Sequence, residues 1–167
     1  RRRPGPGGAA PTAIRPRRPR RVVGPRSRTG RPLILAESRD PRQRLGLEGE
    51  RAAETFLRRS GLQILERRFR CRLGEIDLVA RQGGVVVFVE VKTWRRARDQ
   101  SPADAVDRGK QERLTRAAFT FLKAHGLLES ASRFDVVSVT WPKEARRPTI
   151  EHFANAFEPS GSWQFFS

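Results

Sequence analysis

The stretch GEIDLVARQGGVVVFVEVKT, residues 74–93, decides the fold. Two apolar runs flank Gln82-Gly83-Gly84, and paired glycines supply the positive φ angles of a tight hairpin turn. Before the turn, Ile76, Leu78 and Ala80 alternate with Glu75, Asp77 and Val79, the period-two pattern of a strand. After it, Val85 to Thr93 is dense in Val and Phe, which suit a pleated, half-buried surface. With Gly83 and Gly84 as the central turn residues, Gln82 pairs with Val85. The same register sets Asp77 opposite Glu90 and Glu75 opposite Lys92. Directly opposed side chains share a face, about 5 Å apart at Cβ, so these four residues form one predicted cluster.

Two carboxylates at that distance repel by roughly 3 kcal/mol at an effective dielectric near 20. Strands this apolar bury the face and leave the repulsion poorly screened. A raised pKa, the Lys92 ammonium or a divalent cation would offset it. Two carboxylates plus a backbone carbonyl suit Mg²⁺ (or Mn²⁺), a hard cation that takes oxygen ligands and keeps several waters. A cation there polarises a phosphate and acidifies water. Lys92 can then orient or deprotonate that water, or neutralise charge developing on phosphorus. The plain alternative is a Glu75–Lys92 salt bridge beside two solvated acids. The acid-x-Lys spacing of Glu90-Val91-Lys92 inside an apolar strand weighs against it.

Working outward, Ala52, Ala53, Phe56 and Leu57 recur at helical spacing and Gly61 is a helix stop, which predicts a helix over about 46–60. Leu62 and Ile64 open a strand running to about Arg70. On the other side, Val106, Leu114, Ala117, Ala118, Phe121 and Leu122 make the buried stripe of a second helix over about 103–124. Phe134 to Trp141 reads as a fourth strand, and Ile150 to Phe157 as a short final strand or extended tail. Short connections make the first three strands an antiparallel meander, and the helix before the fourth permits a parallel crossover. The expected fold is α/β in the order α-β-β-β-α-β, a mixed sheet of four to five strands flanked by helices.

Charge is unevenly placed. The chain carries 35 Lys+Arg against 18 Asp+Glu, a net charge of +17. Residues 1–44 hold 14 Arg, no Lys and two acids, Glu37 and Asp40. They show no sustained hydrophobic period and cannot bury enough apolar surface to offset chain entropy. They read as a disordered Arg/Pro/Gly-rich basic tail before a domain at 45–167. Eight prolines within them argue against an amphipathic transit helix. Such a tail suggests an anionic partner, nucleic acid or membrane headgroups. The tail does not identify which, and nucleic acid rather than a membrane is the expected partner; no run of 18 apolar residues spans a membrane, and no secretory pattern appears. Cys71 is the single cysteine, which rules out an internal disulfide and fits a reducing cytoplasm. The chain begins at Arg1 and contains no Met, so its true start is expected to be missing or processed.

Other features carry less. Glu48, Glu50 and Glu54 can simply complement a helix dipole. Trp94, Arg95, Arg96 and Arg98 suit phosphates and a stacked base, or form an ordinary solvated loop. Lys110 and Gln111 open the second helix and either reach the acidic cluster to contact nucleic acid or face water. His125 and His152 lack zinc spacing and read as a surface and a structural residue, and Cys71 reads as a packed thiol. No Ser nucleophile motif is present, and the early glycines follow no strand, so they are not a phosphate loop.

The runs GEIDLV (74–79) and VFVEVKT (87–93) resemble the bacterial YraN family of the PD-(D/E)XK nuclease superfamily, which is similar to archaeal Holliday-junction resolvases. Further matches are Gly46-Leu47-Glu48-Gly49-Glu50 with Ala53, Lys110-Gln111, Arg133-Phe134-Asp135, and Ile150-Glu151-His152 with Asn155-Ala156-Phe157. The resemblance covers about residues 45–157. It implies a restriction-endonuclease-like core, Asp77 and Glu90 as metal ligands, Lys92 as the catalytic lysine, and Glu50 as a further catalytic acid near the metal. Arg68 stands where that family usually has Asn, and Trp94 where it usually has a basic residue, with Arg95 next in line to replace it. The implied activity is that of a metal-dependent endonuclease, a hydrolase of phosphodiester bonds in DNA rather than RNA, with branched DNA among the candidate substrates and a homodimer by analogy. The alternative is a non-catalytic nucleic-acid-binding protein that keeps the nuclease fold. A third reading is a structural protein whose acids form salt bridges.

Overall fold

The side chain of Asp40 accepts a hydrogen bond from the Arg42 N–H at 2.9 Å and caps the first helix, α1 (Pro41–Arg59). An N-cap aspartate followed by proline is a strong helix start, since proline fixes φ and needs no partner for a missing N–H. Helix α1 therefore begins earlier than the apolar period predicted, and takes in residues 41–44 of the expected tail. The computed structural model describes residues 40–95, 106–142 and 145–160. The expectation for the rest of the tail lies outside the described residues.

After α1 come β1 (Gln63–Cys71), β2 (Gly74–Gln82), β3 (Val85–Trp94), α2 (Arg108–His125), β4 (Ser132–Thr140) and β5 (Thr149–Phe157). Asp107 caps α2 by accepting from the Lys110 N–H at 2.8 Å, and Gly126 closes it at φ 67°. The start expected for α2 near residue 103 lies outside the described residues. The five strands form one sheet in the order β1-β2-β3-β4-β5. Only β3 and β4 run parallel, with α2 between them in the chain. This is the expected restriction-endonuclease-like α/β architecture: a five-stranded mixed sheet flanked by two helices. The final segment pairs with β4 as a full strand rather than trailing as a tail. Among the described residues, no helix is long and apolar enough to cross a membrane.

The helices cover opposite sheet faces. Ala53 and Leu57 of α1 pack with Val87, Val89, Val137 and Val139, while Leu114 and Phe121 of α2 pack with Val86, Phe88 and Val136. A side-chain carbon at Gly49 would overlap the Thr93 side chain, so α1 lies almost directly on the far end of β3. That close approach brings Glu50 to the edge of the sheet's polar region.

The β2–β3 register is the predicted one from Gln82↔Val85 to Leu78↔Val89, and it stops there. Beyond it β2 changes sides. Leu78 and Ala80 belong to the α1 cluster, but Ile76 belongs to the α2 cluster. Strand β1 does the same, since Arg67 reaches Glu54 on α1 while Phe69 packs in the α2 cluster. Between them Arg68 adopts φ 50°, and the β1–β2 ladder passes from Arg67↔Leu78 to Phe69↔Ile76 without pairing Arg68 to Asp77. The strict alternation that put Ile76, Leu78 and Ala80 on one face is thus corrected. One left-handed residue rotates β1, and β2 follows it through their shared ladder.

Candidate metal and phosphodiester site

Asp77 sits at the point where the hairpin turns over. Its ladder to β3 has ended, and its carboxylate replaces the backbone, accepting the Val91 N–H at 2.8 Å. Glu90, on the next strand, is 5% exposed. Lys92 Nζ lies 3.2 Å from Glu90 Oε1, and Lys110 Nζ, from the first turn of α2, lies 3.2 Å from Glu90 Oε2. The Lys110 contact is not aligned as a hydrogen bond, and Glu90 Oε2 is a buried oxygen with no hydrogen-bond donor. Burial, followed by the Glu90 charge, pushes the Asp77 carboxyl up to about 7, against the opposing Val91 N–H. Asp77, Glu90 and Lys92 therefore come together, as does Lys110, which reaches the cluster rather than water.

Other expected residues are placed differently. Glu75 is a correction. It lies outside the β2–β3 ladder, is exposed, and pairs with Arg70 at 3.3 Å rather than with Lys92. The reason is the rotation at Asp77, which ends the hairpin register before it reaches residue 75. Glu50 neighbours the cluster closely enough for its charge to act on Asp77, but its carboxylate is held by Arg68 in a two-pronged pair at 2.7 and 3.0 Å. Gln111 donates its side-chain amide to the Val106 carbonyl at 2.9 Å and so holds the entry to α2. Trp94 ends β3, half-buried, and its carbonyl accepts the Trp141 N–H at 2.7 Å. Arg95 is exposed. Arg96 and Arg98 lie outside the described residues.

Among the described residues, no three His, Cys, Asp or Glu side chains gather as a metal cage. A two-carboxylate site still fits Mg²⁺ or Mn²⁺, because such ions keep most of their water. The Asp77 carboxyl, which burial and the Glu90 charge push up to about 7 against a single backbone N–H, fits an electropositive ligand.

The pattern of the sequence does not single out a second buried acid as a structural centre, although Arg133-Phe134-Asp135 is part of the YraN-like resemblance. Asp135 on β4 is fully buried. It accepts from Arg133 Nε at 2.9 Å and from its terminal nitrogen at 3.1 Å, from His152 Nε2 at 2.8 Å, and from the Asn155 N–H at 2.9 Å. Burial pushes this carboxyl up, but the bonds from His152, Arg133 and Asn155 outweigh it and hold it below the usual carboxylate range. His152 is structural, as read. The signal available in the sequence was an Arg-x-Asp pair inside an apolar strand. His125 is exposed, and its Nδ1 lies 2.8 Å from the Phe121 carbonyl.

Comparison with known proteins agrees with this architecture. Residues 49–139 match the family model described as "Uncharacterised protein family UPF0102". A UPF0102 protein of Rhodopirellula baltica is 46% identical over 130 residues, covering 76% of this chain and 78% of the relative. One of Geobacter metallireducens is 48% identical over 114 residues, covering 68% of this chain and 92% of the relative. One of Pelotomaculum thermopropionicum is 42% identical over 118 residues, covering 71% and 98%. With more than half its length matched and relatives this similar, the YraN-like resemblance holds at the level of the family, and the chain belongs to the uncharacterised protein family UPF0102.

Proposed function

We propose that this protein is a metal-dependent endonuclease that hydrolyses phosphodiester bonds in DNA. One observation carries the reading: a half-buried Asp77 beside a buried Glu90, both pulled out of bulk water and flanked by Lys92 and Lys110. Asp77 and Glu90 are the residues that would hold Mg²⁺ or Mn²⁺, with Glu50 available if it leaves Arg68. Bound there, the cation supplies Lewis-acid polarisation of a phosphate oxygen and activation of water. Lys92 holds a positive charge against Glu90, where it can orient the attacking water and neutralise the charge that builds on phosphorus. The Val91 N–H orients the Asp77 carboxylate beside Glu90.

A cleavage panel tests this. Duplex, single-stranded, flap and four-way-junction DNA, with a single-stranded RNA arm, are incubated with Mg²⁺, Mn²⁺ or EDTA. We expect cation-dependent cleavage of DNA, and a loss of at least about 100-fold in Lys92→Ala. Cleavage in EDTA, or Lys92→Ala as active as wild type, would sink the reading. A second reading, nucleic-acid binding without catalysis, is favoured by one feature. Two lysines already neutralise Glu90, and Arg68 already occupies Glu50. It predicts salt-sensitive DNA binding with no cleavage in any arm.

A further inference from the structure

The turn that joins β1 to β2 stands against the start of α2, and between them lies a cleft of about 560 Å³. Among the described residues its charged lining is one-sided: Arg70, Arg72, Lys110 and Arg113, with Glu75 the single acid. Glu75 is taken by Arg70 at 3.3 Å. Arg72 and Arg113 are exposed and ion-paired to no acid among the described residues. The walls are fixed by close packing. A side-chain carbon at Gly74 would lie 2.9 Å from the Arg113 carbonyl oxygen, and the Cys71 thiol closes the turn onto the Gly74 carbonyl at 3.5 Å. Lys110 belongs both to this cleft and to the candidate site, where its Nζ lies 3.2 Å from Glu90 Oε2.

From this geometry we infer that the cleft is a binding site for the sugar-phosphate backbone of a nucleic-acid strand leading away from the Asp77–Glu90 pair. Three facts select that ligand. The excess of guanidinium groups suits phosphate oxygens, which arginine grips in two-pronged fashion. Among the described residues, no aromatic side chain lines the cleft to offer a platform for a base. Leu73, 47% exposed at the tip of the turn, gives an apolar surface for a sugar ring. The contact reads backbone and not sequence, so it positions a strand without choosing it. The identity of the strand rests on the nuclease reading, and the test is built to separate the two.

Cys71 lines the cleft and is the only cysteine of the chain, so its reactivity reports occupancy. The full chain carrying Lys92→Ala is held in EDTA, and a small thiol-reactive reagent is added with and without a short DNA duplex. We expect DNA to slow modification of Cys71 severalfold. Replacing Arg72 and Arg113 together by Ala should abolish that protection and lower the slope of log affinity against log salt by about 2. Replacing Arg51 and Arg59 by Ala removes the same charge from exposed positions on α1 and should leave the protection intact. Equal Cys71 reactivity in free and DNA-bound protein would overturn the inference, even if wild type cleaves DNA. Protection that depends on Arg72 and Arg113 supports it, even if the cleavage panel finds no activity.

Discussion

Asp77 and Asp135 lie on the two strands that flank β3, and burial pushes both carboxyls up. At Asp135 the opposing bonds win. Its own strand supplies Arg133, and the neighbouring strand supplies His152 and the Asn155 N–H. At Asp77 they do not, because one backbone N–H faces both burial and the Glu90 charge. One acid is completed by the fold, and the other is left short of donors. The contrast teaches that burial alone does not set the state of a carboxyl in a sheet: the number of donors around it does.

The comparison breaks most visibly at Asp135. Asp135→Ala leaves Arg133 and His152 without their acceptor, and should cost roughly 3–5 kcal/mol in chemical denaturation. A loss below about 1 kcal/mol would mean the cluster is not structural.

A second effect concerns pH. The folded pKa of Asp77, about 7, is raised above its ordinary value of 3.8, so the stability it contributes is full below about pH 4 and is lost as pH rises through 7. The metal-free protein should lose on the order of 2 kcal/mol between pH 5 and pH 8, while Mg²⁺ affinity rises over the same window. Asp135 has the opposite sign. Its depressed pKa contributes stability above its unfolded pKa, and that stability is lost only as pH falls through the folded value. Melting curves in EDTA that stay flat from pH 5 to 8 would count against a raised Asp77.

Asp77→Asn keeps an acceptor for the Val91 N–H but removes the repulsion. It should therefore stabilise the metal-free domain at pH 8 by about 1 kcal/mol while weakening Mg²⁺ binding, a trade found at charged sites kept for a ligand. An equal rise in melting temperature on adding Mg²⁺ to wild type and variant would place the metal elsewhere.

The smallest effect sharpens the role of Glu50. Arg68→Asn releases its carboxylate, and Asn tolerates the left-handed backbone better than Arg does. Calorimetry should report Mn²⁺ affinity raised by a few-fold. Unchanged affinity would leave Glu50 outside the site.

What could be read in advance was what is local. The Gly83-Gly84 turn fixed the β2–β3 register, and acids at Asp77 and Glu90 stood out against apolar neighbours. The side change of β1 and β2 was hidden, because it turns on the φ of one arginine that no pattern announces. The Glu50–Arg68 pair and the cleft beside Lys110 were hidden for a different reason. They join segments far apart in sequence, whose approach is set by packing at Gly49 and Gly74. The start of α1 was obscured by the Arg- and Pro-rich composition around Asp40.

The side change also bears on how the molecule comes apart. Phe69 and Ile76 are rooted beneath α2, whereas Leu78 and Ala80, further along the same hairpin, are rooted beneath α1. The hairpin is stitched through the plane of the sheet, so neither apolar layer can melt while the other keeps its native boundary. Amide exchange in the two helices should therefore proceed through one shared opening, with a single free energy for their slowest protons.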